Sequence, residues 1–124
     1  MKITDITATP LATGKSLVRV QTDAGVEGWA EGPGINKVVP GRNGSVFNAY
    51  LETIIKPVLI GENPLDIDRH WETLATGKDD RLYKLPASVV GIIDVALWDL
   101  LGKETGKPVY TLMGGAARTT IPLY

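Results

Sequence analysis

The chain has 124 residues, 44% of them hydrophobic and 22% charged, with 14 glycines, 8 prolines and no cysteine. That is enough for one domain, although roughly a third of the surface its unfolded chain exposes stays wet at this size. The composition excludes disorder and disulfide scaffolds, and a net charge of −1 from 13 basic and 14 acidic residues excludes a nucleic-acid footprint.

In chain order, Lys2 to Thr9 alternates Ile3, Ile6 and Ala8 loosely with polar residues, and Ser16 to Thr22 shows a clearer period of two. Pro10 to Lys15 joins them as a loop. Asp23-Ala24-Gly25 is a tight-turn signal, and Val26 to Glu31 reads as a third strand, so the first thirty residues predict an antiparallel meander. From Gly32 to Ser45 the density of Pro and Gly forbids regular structure, and a long loop of that kind is more often functional than passive.

Val46, Phe47, Tyr50, Leu51, Ile54 and Ile55 then follow helical spacing, which is expected to stop before Pro57. Asn63 is placed to cap a second helix with Pro64 in its first position and Asp66 in its first turn. That helix is expected to carry Ile67, Trp71 and Leu74 inward and to stop at Gly77. Pro86 opens a long third helix in which Val89, Ile93, Ala96, Leu97, Leu100 and Leu101 form a broad apolar stripe, with Asp99 and Lys103 as an i,i+4 ion pair. Three strands followed by three helices predict an α+β fold. After Met113-Gly114-Gly115, the strand-like Thr119 to Tyr124 has no partner strand in view, and the sequence reads as the first part of a longer protein.

No stretch reaches the roughly 18 apolar residues of a membrane span, and Met1 to Asp5 lacks the pattern of a signal peptide, so a cytoplasmic protein is expected. The match Asn43-Gly44-Ser45 to a glycosylation site is then accidental.

Several constellations fail as catalytic motifs. Thr13-Gly14-Lys15-Ser16 ends like a phosphate-binding loop, but Thr9 stands where the first glycine is needed and a strand follows. Gly102 to Lys107 has too short a spacing for the same motif. Asp66 and His70 share a helical face while Asp68 points elsewhere, so a metal site is not expected there. Asp94 and Asp99 lie about 140° apart around the helix and cannot share a proton. Asp94 is expected to serve a polar group at a domain interface, and Trp29, Trp71 and Trp98 to act as core or interface anchors with bonded indole N–H groups.

With these elements in order, the sequence resembles the N-terminal capping domain of the mandelate racemase and muconate lactonizing enzymes of the enolase superfamily. The resemblance is carried by Gly25-Val26-Glu27-Gly28-Trp29-Ala30-Glu31, where the family usually has Gly in place of Ala30, and by Asn63-Pro64-Leu65-Asp66-Ile67. It is strongest over Ala96-Leu97-Trp98-Asp99-Leu100-Leu101-Gly102-Lys103, Gly106-Lys107-Pro108-Val109 and Leu112-Met113-Gly114-Gly115.

The resemblance implies a three-stranded meander and three-helix bundle over residues 1–115 as the lid. It implies a linker and the start of the first strand of a (β/α)8 barrel over 116–124. A barrel needs about 200 residues or more and cannot fit in what is left. In such enzymes the barrel supplies the Mg²⁺ ligands and the base that abstracts a proton α to a carboxylate, so no catalytic residue and no metal ligand is carried onto this chain. Its implied partners are its own C-terminal barrel, a small carboxylate or acid-sugar substrate, and further copies in a homo-oligomer.

Within that frame, the two loops Pro10 to Lys15 and Gly32 to Ser45 are expected to close over substrate, with Lys15, Asn36, Lys37 and Arg42 as candidate donors. Their polar, basic character points to acid-sugar dehydration, while Leu11, Val38 and Val39 keep a racemase or cycloisomerase open. A non-catalytic α+β module that binds another protein through its apolar helix is the alternative from a different class.

Overall fold

The structure is a computed structural model that describes residues 1–32, 46–76 and 85–123. Strands β1 (Ile3–Pro10), β2 (Ser16–Thr22) and β3 (Glu27–Gly32) form one antiparallel sheet in the order β1-β2-β3. The Asp23-Ala24-Gly25 turn closes β2 onto β3, with Gly25 at φ +77°, a conformation that favours glycine. One departure from simple alternation lies in β1. Ile3 and Ile6 are both buried although three apart, because the register with β2 shifts between Ile3 and Asp5. Such an irregularity moves a side chain from one face to the other without ending the strand.

Helix α1 (Val46–Tyr50) runs through a π-helical turn, Leu51–Ile55, into α2 (Lys56–Leu59). The expected stop before Pro57 is therefore corrected to Leu59. In an α-helix the proline ring would strike the carbonyl of Thr53, but here the turn is widened, with the Lys56 N–H donating to the Leu51 carbonyl. The chain leaves the helix at Ile60, which is extended, and Gly61 and Glu62 bond to the backbone of Ile3.

Helix α3 spans Ile67–Thr76, and the Asn63-Pro64-Leu65-Asp66 segment is a turn ahead of it, not its first helical turn. The Asn63 side-chain oxygen accepts from the Leu65 N–H at 3.3 Å, and the Asp66 carbonyl accepts the first helical bond from His70. The inward face is Ile67, His70 and Leu74; Trp71, expected inside, is 50% exposed. One helical step of about 100° separates the two aromatics, and the i, i+3, i+7 spacing selects His70.

The long helix α4 (Ala87–Thr105) ends at Gly106, whose φ of +65° makes a left-handed cap bonded to Gly102 and Lys103. A short α5 (Val109–Leu112) folds back beside it. Residues 116–123 form no helix or strand and are exposed. The core lies between sheet and helices, where Ile6, Val18, Val20 and Ala30 meet Phe47, Ile55, Ile93, Leu97 and Leu100.

Helix α4 also closes the outer edge of the sheet. The Trp29 N–H on β3 donates to the Asp99 carboxylate at 2.8 Å, and Lys103 reaches the Glu27 carbonyl at 3.0 Å while pairing with Asp99 at 2.6 Å. An edge strand would otherwise present these groups to water or to another chain.

Candidate functional site

The first candidate region is the end of the sheet where Pro10 pairs with Ser16 and Ser16 with Gly32. The turn from Leu11 to Lys15 is closed by the Leu11 N–H to the Lys15 carbonyl at 2.8 Å and the Gly14 N–H to the Leu11 carbonyl at 2.9 Å. Gly14, at φ +80°, permits that geometry. Lys15, the one candidate donor among the described residues, pairs across the strands with the Glu31 carboxylate, both about half-exposed. Asn36, Lys37 and Arg42 lie outside the described residues. Sequence alone does not mark Glu31 as a partner for Lys15, because only the strand register brings them together.

At this end β3 is held tightly. A β-carbon on Gly32 would stand 2.3 Å from the Ile92 side chain, so the strand end is seated directly on α4. A charged donor and a charged acceptor on a rigid sheet end are suited to hydrogen-bonding a polar, hydroxylated ligand.

On the solvent face of the sheet Arg19 donates from Nε to Glu27 at 2.9 Å, adds a second contact through Nη2, and lies 5.3 Å from the Trp29 ring centroid. The hydrogen bond to Arg19 holds the Glu27 carboxyl below its ordinary range. Trp29 is therefore a surface platform under a guanidinium instead of a core anchor.

Around α3, His70 is buried and its Nε2 donates to the Asn63 carbonyl at 2.7 Å, so it staples the turn before the helix. Asp66 pairs with Arg69 at 3.0 Å. Among the described residues no group of three or more His, Cys, Asp or Glu could hold a metal ion. Asp94, on α4, has its carboxyl raised by burial and further by the negative charge of Asp68.

The second candidate region is the outer side of α4. Most of the expected apolar stripe is consumed internally, since Val89, Ile93, Ala96, Leu97 and Leu100 are all buried against the domain's own core. What remains open is a groove lined by Trp29, Asp94, Val95, Trp98, Val109 and Met113. Among the described residues no helix is long and apolar enough to cross a membrane.

Comparison with known proteins agrees with this geometry. The model of the mandelate racemase / muconate lactonizing enzyme N-terminal domain matches residues 6–114. D-galactonate dehydratase of Ralstonia nicotianae is 37% identical over the whole chain, which covers 31% of that protein, and the enzyme of Pectobacterium atrosepticum gives the same figures. Muconate lactonizing enzyme from Pseudomonas putida superposes with a TM-score of 0.75 at 30% identity, covering 95% of this chain and 33% of that one. An enolase from Agrobacterium radiobacter, with sodium and L-malate bound, gives 0.77 at 27% identity, covering 95% and 29%. The chain thus spans about a third of the length of the relatives it matches. With the meander, the helices and the match over residues 6–114 in agreement, the chain belongs to the mandelate racemase/muconate lactonizing enzyme family as its N-terminal domain.

Proposed function

We propose that this chain is the lid of an acid-sugar dehydratase of the enolase superfamily, inactive alone and paired with a barrel in the remainder of the polypeptide. The observation that carries the reading is the 37% identity, over all 124 residues, to D-galactonate dehydratases. The reaction class removes the proton α to a carboxylate and expels the β-hydroxyl as water, and tautomerisation leaves a 2-keto-3-deoxy acid. Mg²⁺ would supply positive charge opposite the substrate carboxylate, and in this reading the barrel carries both the ion and the base.

The lid's own contribution is recognition and exclusion of water. Lys15 donates and Glu31 accepts at the sheet end, a pairing matched to the hydroxyls of a sugar acid. Asn36, Lys37 and Arg42, in the segment that follows β3 in sequence, are proposed as further donors.

The test is turnover by the polypeptide of the relatives' length, with Mg²⁺, on a panel of aldonates and aldarates, read as keto-acid formation. Turnover of a sugar acid supports the dehydratase reading. Isomerisation of mandelate or muconate without dehydration would replace it with a racemase or cycloisomerase, a reading favoured by the superposition on muconate lactonizing enzyme. No turnover on any carboxylate would leave a binding module.

A further inference from the structure

Helix α4 closes the β3 side of the sheet, which leaves β1 as its other edge. An uncovered edge strand offers a row of N–H and C=O groups to any other extended chain. A second copy of this chain carries the same edge, and two β1 strands related by a two-fold axis would run antiparallel and join the two sheets into one.

Along β1 the outward positions are blocked in succession. The Ile3 N–H donates to the Glu62 carbonyl at 2.9 Å and the Ile3 carbonyl accepts from the Gly61 N–H at 2.8 Å, so the segment that follows α2 covers this residue. The Ile6 N–H donates to Oδ1 of Asp5, its own chain neighbour, at 2.8 Å. Backbone direction alternates along a ladder, so Ala8 and Pro10 face outward with Ile6. Pro10 has no N–H to offer. Among the described residues, Ala8 is the outward position with no such block.

The Asp5 carboxylate is held in place from a helix. Lys56 Nζ lies 3.1 Å from the same Oδ1 and 2.8 Å from the Glu52 carboxylate. Lys56 follows directly on the π-helical turn Leu51–Ile55, so the widened turn that admits Pro57 also sets the angle at which this lysine meets β1. The Asp5 side chain is 45% exposed, and a bond that open to water adds little to stability. What a fixed side-chain oxygen does that water does not is hold the place where the carbonyl of an added strand would have to sit.

We propose that Asp5 is a guard on the β1 edge: its carboxylate, anchored by Lys56, takes the Ile6 N–H and keeps a second copy of the chain from adding its own β1 to the sheet. This holds whatever reaction the remainder of the polypeptide performs.

Asp5→Ala removes the acceptor, whereas Asp5→Asn keeps an oxygen in its place and loses the charge pair with Lys56. Both are made in the polypeptide of the relatives' length and followed by sedimentation over a range of protein concentrations, with the amide I infrared band reporting strands paired between molecules. Species heavier than the unsubstituted protein that grow with concentration and carry that band in Asp5→Ala, and are missing in Asp5→Asn, support the proposal. Association of both variants alike overturns it in favour of a general loss of stability. Asp5→Ala with the unsubstituted mass at every concentration overturns it outright. Amide exchange in the unsubstituted protein reads the same edge without any substitution: the Ile6 amide is expected to exchange roughly tenfold more slowly than that of Ala8, and equal rates overturn the guard.

Discussion

Gly28 and Ala96 stand so close that a β-carbon on Gly28 would lie 2.0 Å from the Ala96 carbonyl oxygen and 2.9 Å from the Leu100 β-carbon. The sheet and the long helix are therefore in backbone contact at this point, and the edge of the sheet can reach the carboxylate of Asp99 one turn further along. Gly28→Ala forces the two elements apart. It is expected to destabilise the domain by about 2 kcal/mol or more, read as a lower denaturant midpoint. Gly91→Ala in the same 124-residue chain, where space is open, is expected to raise stability by about 0.5–1 kcal/mol. Equal effects from the two substitutions would show that the close approach at Gly28 is wrong.

The Asp99 carboxylate serves two partners, the Trp29 amide and the Lys103 ammonium. Asp99→Ala hands the amide of an edge strand to water and is expected to cost about 0.5–1.5 kcal/mol. Lys103→Met removes a half-exposed charge pair and is expected to cost less than about 1 kcal/mol. Amide exchange at Trp29 separates the cases: it should quicken in Asp99→Ala and stay slow in Lys103→Met. A fast Trp29 amide in the unsubstituted protein would remove the edge-closing role.

Local patterns in the chain carried much of this fold, and what they missed required the third dimension. The period-two runs and the Asp23-Ala24-Gly25 turn predict the meander because hairpin register is set locally, and Asp99 with Lys103 is legible as an i,i+4 pair. The Trp29 amide as a third partner was not legible, since it comes from a strand 70 residues earlier. The shift between Ile3 and Asp5 leaves no sequence mark, and Pro57 reads as a helix stop unless a widened turn precedes it. Trp71 reads as inward from its i, i+4, i+7 spacing with Ile67 and Leu74, while the helix face turns on His70 and its bond to Asn63. At the candidate site, loop composition pointed to Lys15, but Glu31 depends on how β2 and β3 align.

Asp5 and Asp94 give the domain opposite pH dependences. Burial pushes the Asp5 carboxyl up, but the hydrogen bond from Lys56, the Ile6 amide and the Lys56 charge together outweigh it, so its pKa is lowered in the fold. Its contribution is present above the ordinary carboxylate range and is lost as pH falls through the folded value. Asp94 is raised by burial and by Asp68, so the fold favours its protonated form, and stability is lost as pH rises through its folded value. Asp94→Asn is expected to raise stability at pH 7 by less than about 1 kcal/mol after allowance for solvent screening, read as a higher Tm, with the gain vanishing in acid. Asp5→Asn is expected to lower Tm at pH 7, with the loss shrinking on acidification. A gain from Asp94→Asn that persists at pH 3 would mean that its charge is not the cause.

The Lys15 and Glu31 pair separates a recognition role from a structural one. Both side chains are about half-exposed, and ion pairs of that kind contribute less than about 1 kcal/mol to stability. Lys15→Met and Glu31→Gln are therefore expected to leave the unfolding midpoint of the domain nearly unchanged. In the polypeptide of the relatives' length, a charge-assisted hydrogen bond to substrate lost in Lys15→Met should lower kcat/KM on sugar acids roughly 10- to 100-fold. The loss should fall mainly on KM, because a lid residue remote from the bond that breaks binds ground and transition states alike. Glu31→Gln keeps a hydrogen-bonding side chain but releases the lysine from its charge partner, so a smaller rise in KM is expected. A kcat/KM unchanged in both variants would remove the sheet end from substrate recognition, and a large fall in Tm would make the pair structural.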